Sequence, residues 1–243
     1  MEYKYCKDDN FEDFACGRVL YHRSGMPSFP VRLADEIFKR CMEYLGRQND
    51  IVLFDPCCGG GYLVTVLGLL NPSAIKEFVC SDIDEDAVGL ARSNLSLLTM
   101  DGLLRRRDQI FGMIESFNKQ SHRDALESAD RIIKIVQDRP FTPEIKCLMA
   151  DALDKMSFCS EDFKADIVMA DVPYGKLAMW SGENDNAVDL LLDSVSGVIH
   201  EDSVVAVICD KFQKVRNSSY KRLERFKAGK RVVEILKPAS AEV

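Results

Sequence analysis

Apolar positions along this chain switch between two rhythms. Val31, Ala34, Ile37, Phe38, Cys41, Met42 and Leu45 recur at helical spacing, which predicts a helix with one buried stripe, closed by Gly46. Ile51-Val52-Leu53-Phe54 is an unbroken apolar run of strand length that stops at Asp55-Pro56. A helix from Tyr62 to Leu70 is expected next, then a strand over Phe78-Val79-Cys80 that stops at Ser81-Asp82, then a helix over residues 85–98. After an interruption the alternation resumes with strands over residues 145–150 and 167–170, a helix near residues 186–199 and a strand over 204–209. Strand alternating with helix implies an α/β fold, its parallel sheet covered on both faces.

Two regions depart from that rhythm. Residues 1–48 form an N-terminal segment, aromatic-rich and irregular up to Phe29-Pro30 and helical after it. Residues 101–142 read as an insertion of two helices, near 101–117 and 123–138, expected to cap one end of the sheet. In the tail, residues 222–227 and 231–236 flank Ala228-Gly229-Lys230 as a hairpin would, with a short helix over 220–226 as the competing reading.

A length of 243 residues suits a single domain spanning 1–243. The polar, acid-bearing N-terminus is no signal peptide, and no apolar run approaches the roughly 20 residues of a membrane span. A cytoplasmic protein, a monomer without membrane contact, is the expectation. The nine cysteines are scattered, except for adjacent Cys57-Cys58, and form no C-x-x-C pair, so no metal site is expected.

The net charge of −7 argues against a polyanionic partner until its distribution is considered. Residues 150–202 hold twelve acids and three bases, whereas 211–231 hold nine bases and one acid. Phosphate responds to the local field, so the second segment, with Lys211, Lys221 and Arg222, is a candidate nucleic-acid face. Arg105-Arg106-Arg107 on the insertion reads rather as a solvated face.

Asp55-Pro56-Cys57-Cys58-Gly59-Gly60-Gly61 lies between a buried strand and a helix, where ligands of open parallel sheets bind. Its glycines let backbone approach a ligand. The loop lacks ordered G-x-G-x-x-G spacing, and its strand ends in an acid that would repel a pyrophosphate but attract a cationic methionine end. S-adenosylmethionine is therefore favoured over a dinucleotide. Asp82, 21 residues after Gly61, is placed to accept from ribose hydroxyls, and Asp151-Ala152 to read the adenine edge. Asp84 is the alternative ribose acceptor or a helix N-cap.

Asp171-Val172-Pro173-Tyr174-Gly175 follows the apolar strand that starts at Ala165. Asp171 can accept from an N–H of a flat acceptor, Pro173 fixes the turn and Tyr174 can stack on the base. Positioning of this kind suits methyl transfer to nitrogen. The segment holds no cysteine, which disfavours pyrimidine C5 chemistry.

Taken together, Phe29-Pro30-Val31-Arg32, Asp55-Pro56-Cys57-Cys58-Gly59-Gly60-Gly61-Tyr62-Leu63, Ser81-Asp82-Ile83-Asp84, Asp171-Val172-Pro173-Tyr174-Gly175 and the tail from Leu223 to Arg231 resemble the avilamycin-resistance rRNA methyltransferases, the AviRa family. The resemblance implies a Rossmann-like class I fold with a seven-stranded, mostly parallel sheet. It implies methylation of a guanosine nitrogen in large-subunit rRNA or a ribosomal particle, with orthosomycin resistance as the effect. Asp55, Cys57, Gly59, Gly61 and Asp82 would then be cofactor contacts, and Asp171, Pro173 and Tyr174 the target grip. Val172 and the segment around Lys176 and Trp180 depart from the family pattern in a stretch expected to face the target. Arg32 opens the helix before the first strand, where it can meet the methionine carboxylate or an RNA phosphate, or lie exposed at a proline-started helix. The alternatives are methylation of DNA adenine or protein glutamine, an inactive RNA-binding assembly factor, and a dinucleotide oxidoreductase.

Overall fold

A computed structural model describes residues 2–26, 28–139, 142–172 and 186–239. Its seven strands are β1 (Ile51–Asp55), β2 (Ile75–Asp82), β3 (Glu144–Met149), β4 (Ala165–Asp171), β5 (Ile199–Cys209), β6 (Tyr220–Ala228) and β7 (Arg231–Pro238). They form one sheet in the order β3-β2-β1-β4-β5-β7-β6. β1 to β5 run parallel, and β7 is antiparallel to both β5 and β6. The helices are α1 (Val31–Leu45), α2 (Tyr62–Leu70), α3 (Glu85–Ser96), α4 (Met100–Phe117), α5 (Gln120–Gln137) and α6 (Ala187–Val195).

Strand side chains alternate between two cores, which is why the strands read as continuous apolar runs. Ile51, Leu53, Ile167, Met169, Val204, Ala206 and Ile208 pack on the face covered by α1, α2 and α3. Val52, Phe54, Val168, Ala170, Val205, Val207 and Cys209 pack on the other face with α6. There Phe54 meets Phe158 and Phe163 edge-on, with centroids 5.1 and 5.2 Å away.

Strand order reverses between β1 and β4, so Asp55 and Asp171 end adjacent strands at the switch point where α/β sheets open a crevice. The antiparallel β7 starts beside the end of β5, with Val232 opposite Cys209, and so brings Arg231 to the same rim.

Several boundaries differ from the sequence expectation. β2 begins at Ile75, pairing with Ile51, although Lys76 and Glu77 interrupt the apolar run. β5 begins at Ile199 and carries His200, Glu201 and Asp202 before its apolar part; polar residues are tolerated at the solvated base of the sheet. The tail is a hairpin rather than a helix, turned at Gly229 with φ +61°. The insertion packs against α2, α3 and a short 3-10 turn at Glu12–Phe14, forming a layer outside those helices. Ala125, Ala129, Ile132 and Val136 bury one stripe of α5 there.

Candidate active site

The loop after β1 is pinned by the strand ends on either side. Cys57 N–H donates to Asp55 Oδ1 at 3.0 Å and Gly59 N–H to Asp82 Oδ2 at 2.8 Å, while Cys58 N–H donates to the Ser81 carbonyl at 2.9 Å. Gly59 and Gly61 hold φ of +50° and +69°, and Gly61 starts α2 so close to α3 that a Cβ would lie 2.9 Å from Ala91 Cα.

Beside this loop lies a cavity of about 580 Å³. Asp55, Cys57, Gly59, Gly60, Asp82, Asp171 and Val172 line its floor, and Ile83, Ala87 and Leu90 one side. Its other wall is the N-terminal segment, through Cys16, Tyr21, His22, Arg23, Met26 and Phe29. Three carboxylates therefore share a concave, partly dry site.

Their environments differ. Burial raises the Asp55 carboxyl well above its usual range; the Cys57 N–H eases that, and the charges of Asp171 and Asp82 add to it. Burial raises Asp171 to about 6, with Arg231 pulling the other way. Asp171 Oδ1 is shielded from solvent and accepts no hydrogen bond among the described residues. Both Asp82 oxygens accept from backbone, Oδ1 from Asp84 N–H at 3.0 Å and Oδ2 from Gly59, which leaves each a further lone pair. Asp84 is the N-cap of α3, bonded by Asp86 N–H at 2.9 Å.

The structure gathers Asp55, Cys57, Gly59, Asp82 and Asp171, as the sequence led one to expect. Gly61 acts behind the lining, at the α2–α3 contact. Asp151 and Ala152 are not among the lining residues: Asp151 caps its own turn through Leu153 N–H at 2.9 Å, and Ala152 is buried against α6. Arg32 turns away to Asp8 at 3.0 Å and lies over the Tyr3 ring at 4.1 Å, held by the folded-back N-terminus. Pro173, Tyr174, Lys176 and Trp180 lie outside the described residues.

On the basic segment Lys211, Lys221 and Arg222 are exposed; Lys211 sits over the Phe212 ring at 4.7 Å and Arg222 reaches Glu234 at 3.2 Å. Arg106, read as part of a solvated face, is instead buried, donating to the Val19 carbonyl at 2.8 Å and covering the Tyr21 ring.

Sequence reasoning missed the N-terminal wall and Arg231. The wall has no periodicity to reveal it, but the aromatic density of residues 1–30 was a signal. Arg231 was counted among the phosphate-facing bases, yet its Nε lies 4.0 Å from Asp171 Oδ1.

Residues 1–231 match the family described as rRNA methyltransferase AviRa. The chain belongs to the AviRa family. It is 36% identical over 230 residues to the 23S rRNA (guanine(2535)-N(1))-methyltransferase of Streptomyces viridochromogenes, covering 93% of this chain and 92% of that protein. Two crystal structures of rRNA methyltransferase AviRa from that organism superpose with a TM-score of 0.87 at 33% identity, covering 98% of this chain and 96% of theirs. The likeness to TrmN from Thermus thermophilus, at 15% identity and a TM-score of 0.51 over 89% of this chain and 51% of that one, reflects the shared fold alone. Family membership makes this chain an rRNA methyltransferase on a Rossmann-like sheet.

Proposed function

We propose that this chain methylates N1 of a guanosine in the 23S rRNA of the large subunit, with S-adenosylmethionine as donor. Asp171 carries the reading. It ends β4 at the switch point, lines the cavity and keeps a solvent-shielded oxygen that accepts no hydrogen bond among the described residues. Guanine N1 bears a proton that must leave before the nitrogen can accept a methyl group. Asp171 is ionised above about pH 6 and can take it: the N1–H bond breaks, the proton goes to the carboxylate and the electron pair stays on N1.

The cavity suits the donor by its chemistry. Three acids in a concave site favour a cation, as the sulfonium and ammonium of S-adenosylmethionine require. When bound, that donor supplies an electrophilic methyl carbon. Asp55 would hold its cationic end, the second lone pairs of Asp82 its ribose, and Gly59 and Gly60 would let it lie against backbone; a Cβ on Gly60 would already meet Leu90 at 2.6 Å. Pro173 and Tyr174 are assigned the target base, as the family resemblance implies, and Lys176 and Trp180 its neighbours.

RNA would be gripped along the hairpin side of the sheet. Lys211 and the 76% exposed Phe212 follow the end of β5 at the cavity rim, and Lys221 and Arg222 stand on the edge strand β6 at its far end, level with Leu236 and Val205. A methyl group on N1 removes a Watson–Crick donor, and reduced orthosomycin binding is the biological effect we propose. The work belongs in the cytoplasm, where ribosomes are.

Incubation with methyl-labelled donor and, separately, 23S rRNA, DNA and a release factor tests the acceptor. Label in 23S rRNA alone is expected; label in DNA or in protein alone would refute the assignment.

A further inference from the structure

Arg231 belongs to the second strand of the sheet hairpin, far in sequence from every motif of the cavity, yet its guanidinium lies beside Asp171, which lines the cavity. It opens β7 opposite Ala228, and the antiparallel run of that strand carries its backbone to the ends of β5 and β4. Its guanidinium carbon lies 4.9 Å from the centroid of the Phe29 ring. Phe29 is buried and lines the cavity, so one side of the guanidinium rests on an aromatic face that belongs to the N-terminal wall. The Nε atom faces Asp171 Oδ1 at 4.0 Å, an ion-pair distance longer than a hydrogen bond.

We propose that Arg231 is a positioning residue that, seated on Phe29, keeps the Asp171 carboxylate ionised and aimed into the cavity. The inference deepens the function proposed above and rests on it for its catalytic consequence. Arginine suits the task because its charge is permanent and its planar group stacks. At 4.0 Å it attracts the carboxylate without making a hydrogen bond to it. Among the described residues, the other titratable groups that face Asp171 are Asp55 at the end of β1, Cys57 in the following loop and Cys209 at the end of β5. The Asp171 charge raises Asp55, and burial holds both thiols protonated, so among the described residues the arginine is the charge that favours the carboxylate. Phe29 makes this setting depend on closure of the N-terminal wall.

Carbon-13 titration of the Asp171 carboxyl in the free protein measures the pairing directly. Arg231→Gln should raise its midpoint by about one unit, and Arg231→Lys should restore most of that shift. In the transfer assay the acid limb of the kcat profile should move up by the same amount, with KM for rRNA changed less than threefold. An unmoved midpoint in Arg231→Gln would overturn the inference, as would a loss confined to KM. If the unmutated protein methylated no RNA, the functional reading would fall, while the titration would still show whether Arg231 governs Asp171. Phe29→Leu, which keeps the core filled, gives a second reading: a midpoint raised part-way supports the seat, and an unchanged one removes Phe29 from it.

Discussion

The side chain of Asn94 clasps the backbone of Tyr21 in both directions. Its Oδ1 accepts from Tyr21 N–H at 2.8 Å and its Nδ2 donates to the Tyr21 carbonyl at 3.1 Å. The same Nδ2 donates to the Gly60 carbonyl at 2.8 Å. One buried amide on α3 therefore ties the N-terminal wall of the cavity to its glycine loop, joining residues more than seventy positions apart.

Asn94→Ala should release that wall. Three part-buried backbone groups lose their partner, which should cost about 1–3 kcal/mol of stability. Thermal unfolding measures the cost, and limited proteolysis should show faster cleavage within residues 17–29. Donor affinity should fall in the same variant, because one side of the pocket is no longer fixed. Cleavage and affinity matching those of the unmutated protein would contradict the clasp.

The glycines of the loop should differ in what they tolerate. At Gly59 a Cβ meets nothing within 4 Å, so alanine there bears only the strain of φ +50°, about 1 kcal/mol. At Gly61 the same substitution adds a 2.9 Å approach to Ala91 Cα, and backbone cannot step aside as a side chain can. Gly61→Ala should cost about 2–4 kcal/mol and is expected to unseat α2 from α3. Urea unfolding of the two variants side by side gives the comparison.

Asp171 should weaken the fold that contains it. Its carboxyl titrates near 6 when folded against an ordinary value of 3.8, so the folded chain binds more protons between those values. Stability contributed by this group is thus present below pH 3.8 and lost as pH rises to about 6, by up to about 3 kcal/mol. Asp171→Asn should match the unmutated protein near pH 4, exceed it in melting temperature above pH 6 and transfer no methyl group. Melting curves from pH 3.5 to 8 that stay parallel would show that the buried charge is compensated in some other way.

On the edge strand and its turn, charge reversal at Lys221, Lys227 and Lys230 should flatten the salt dependence of rRNA binding. Neutralising about three phosphate contacts would change the slope of log K against log salt by about 2 to 3. The lysines are the cleaner probes, since Arg222 and Arg225 both bond the buried Glu234 at 3.2 Å and their reversal would strand that acid. A filter-binding series that keeps its slope would remove this strand from the RNA path.

How far the sequence carried these conclusions depended on what each residue obeys. Asp55, Asp82 and Asp171 were legible because each breaks an apolar run at the point where a strand must end, and parallel strands all end on one side. The glycine loop was legible for the same reason. Arg231 was not, because its place depends on β7 running antiparallel between β5 and β6, a pairing no local pattern states. The surroundings of Arg32 were not legible, since an arginine beside a strand entrance gives no sign that Asp8 and Tyr3 will fold back to hold it. Asp151 shows the limit of strand-end acids as a signal: one of its oxygens accepts from its own turn, and it does not line the cavity. The N-terminal wall lacks periodicity because it is held by side chains such as Asn94 and Arg106 rather than by its own hydrogen-bond ladder.

Primer extension on 23S rRNA after reaction, with nucleoside mass spectrometry of the same sample, reads the site of transfer. N1-methylation blocks base pairing and stops the polymerase, so one new stop at a guanosine is expected, together with N1-methylguanosine that vanishes in Asp171→Asn. Read-through at every guanosine, with the new methyl found on N2, a ribose or a pyrimidine carbon, would contradict a carboxylate that takes the ring proton.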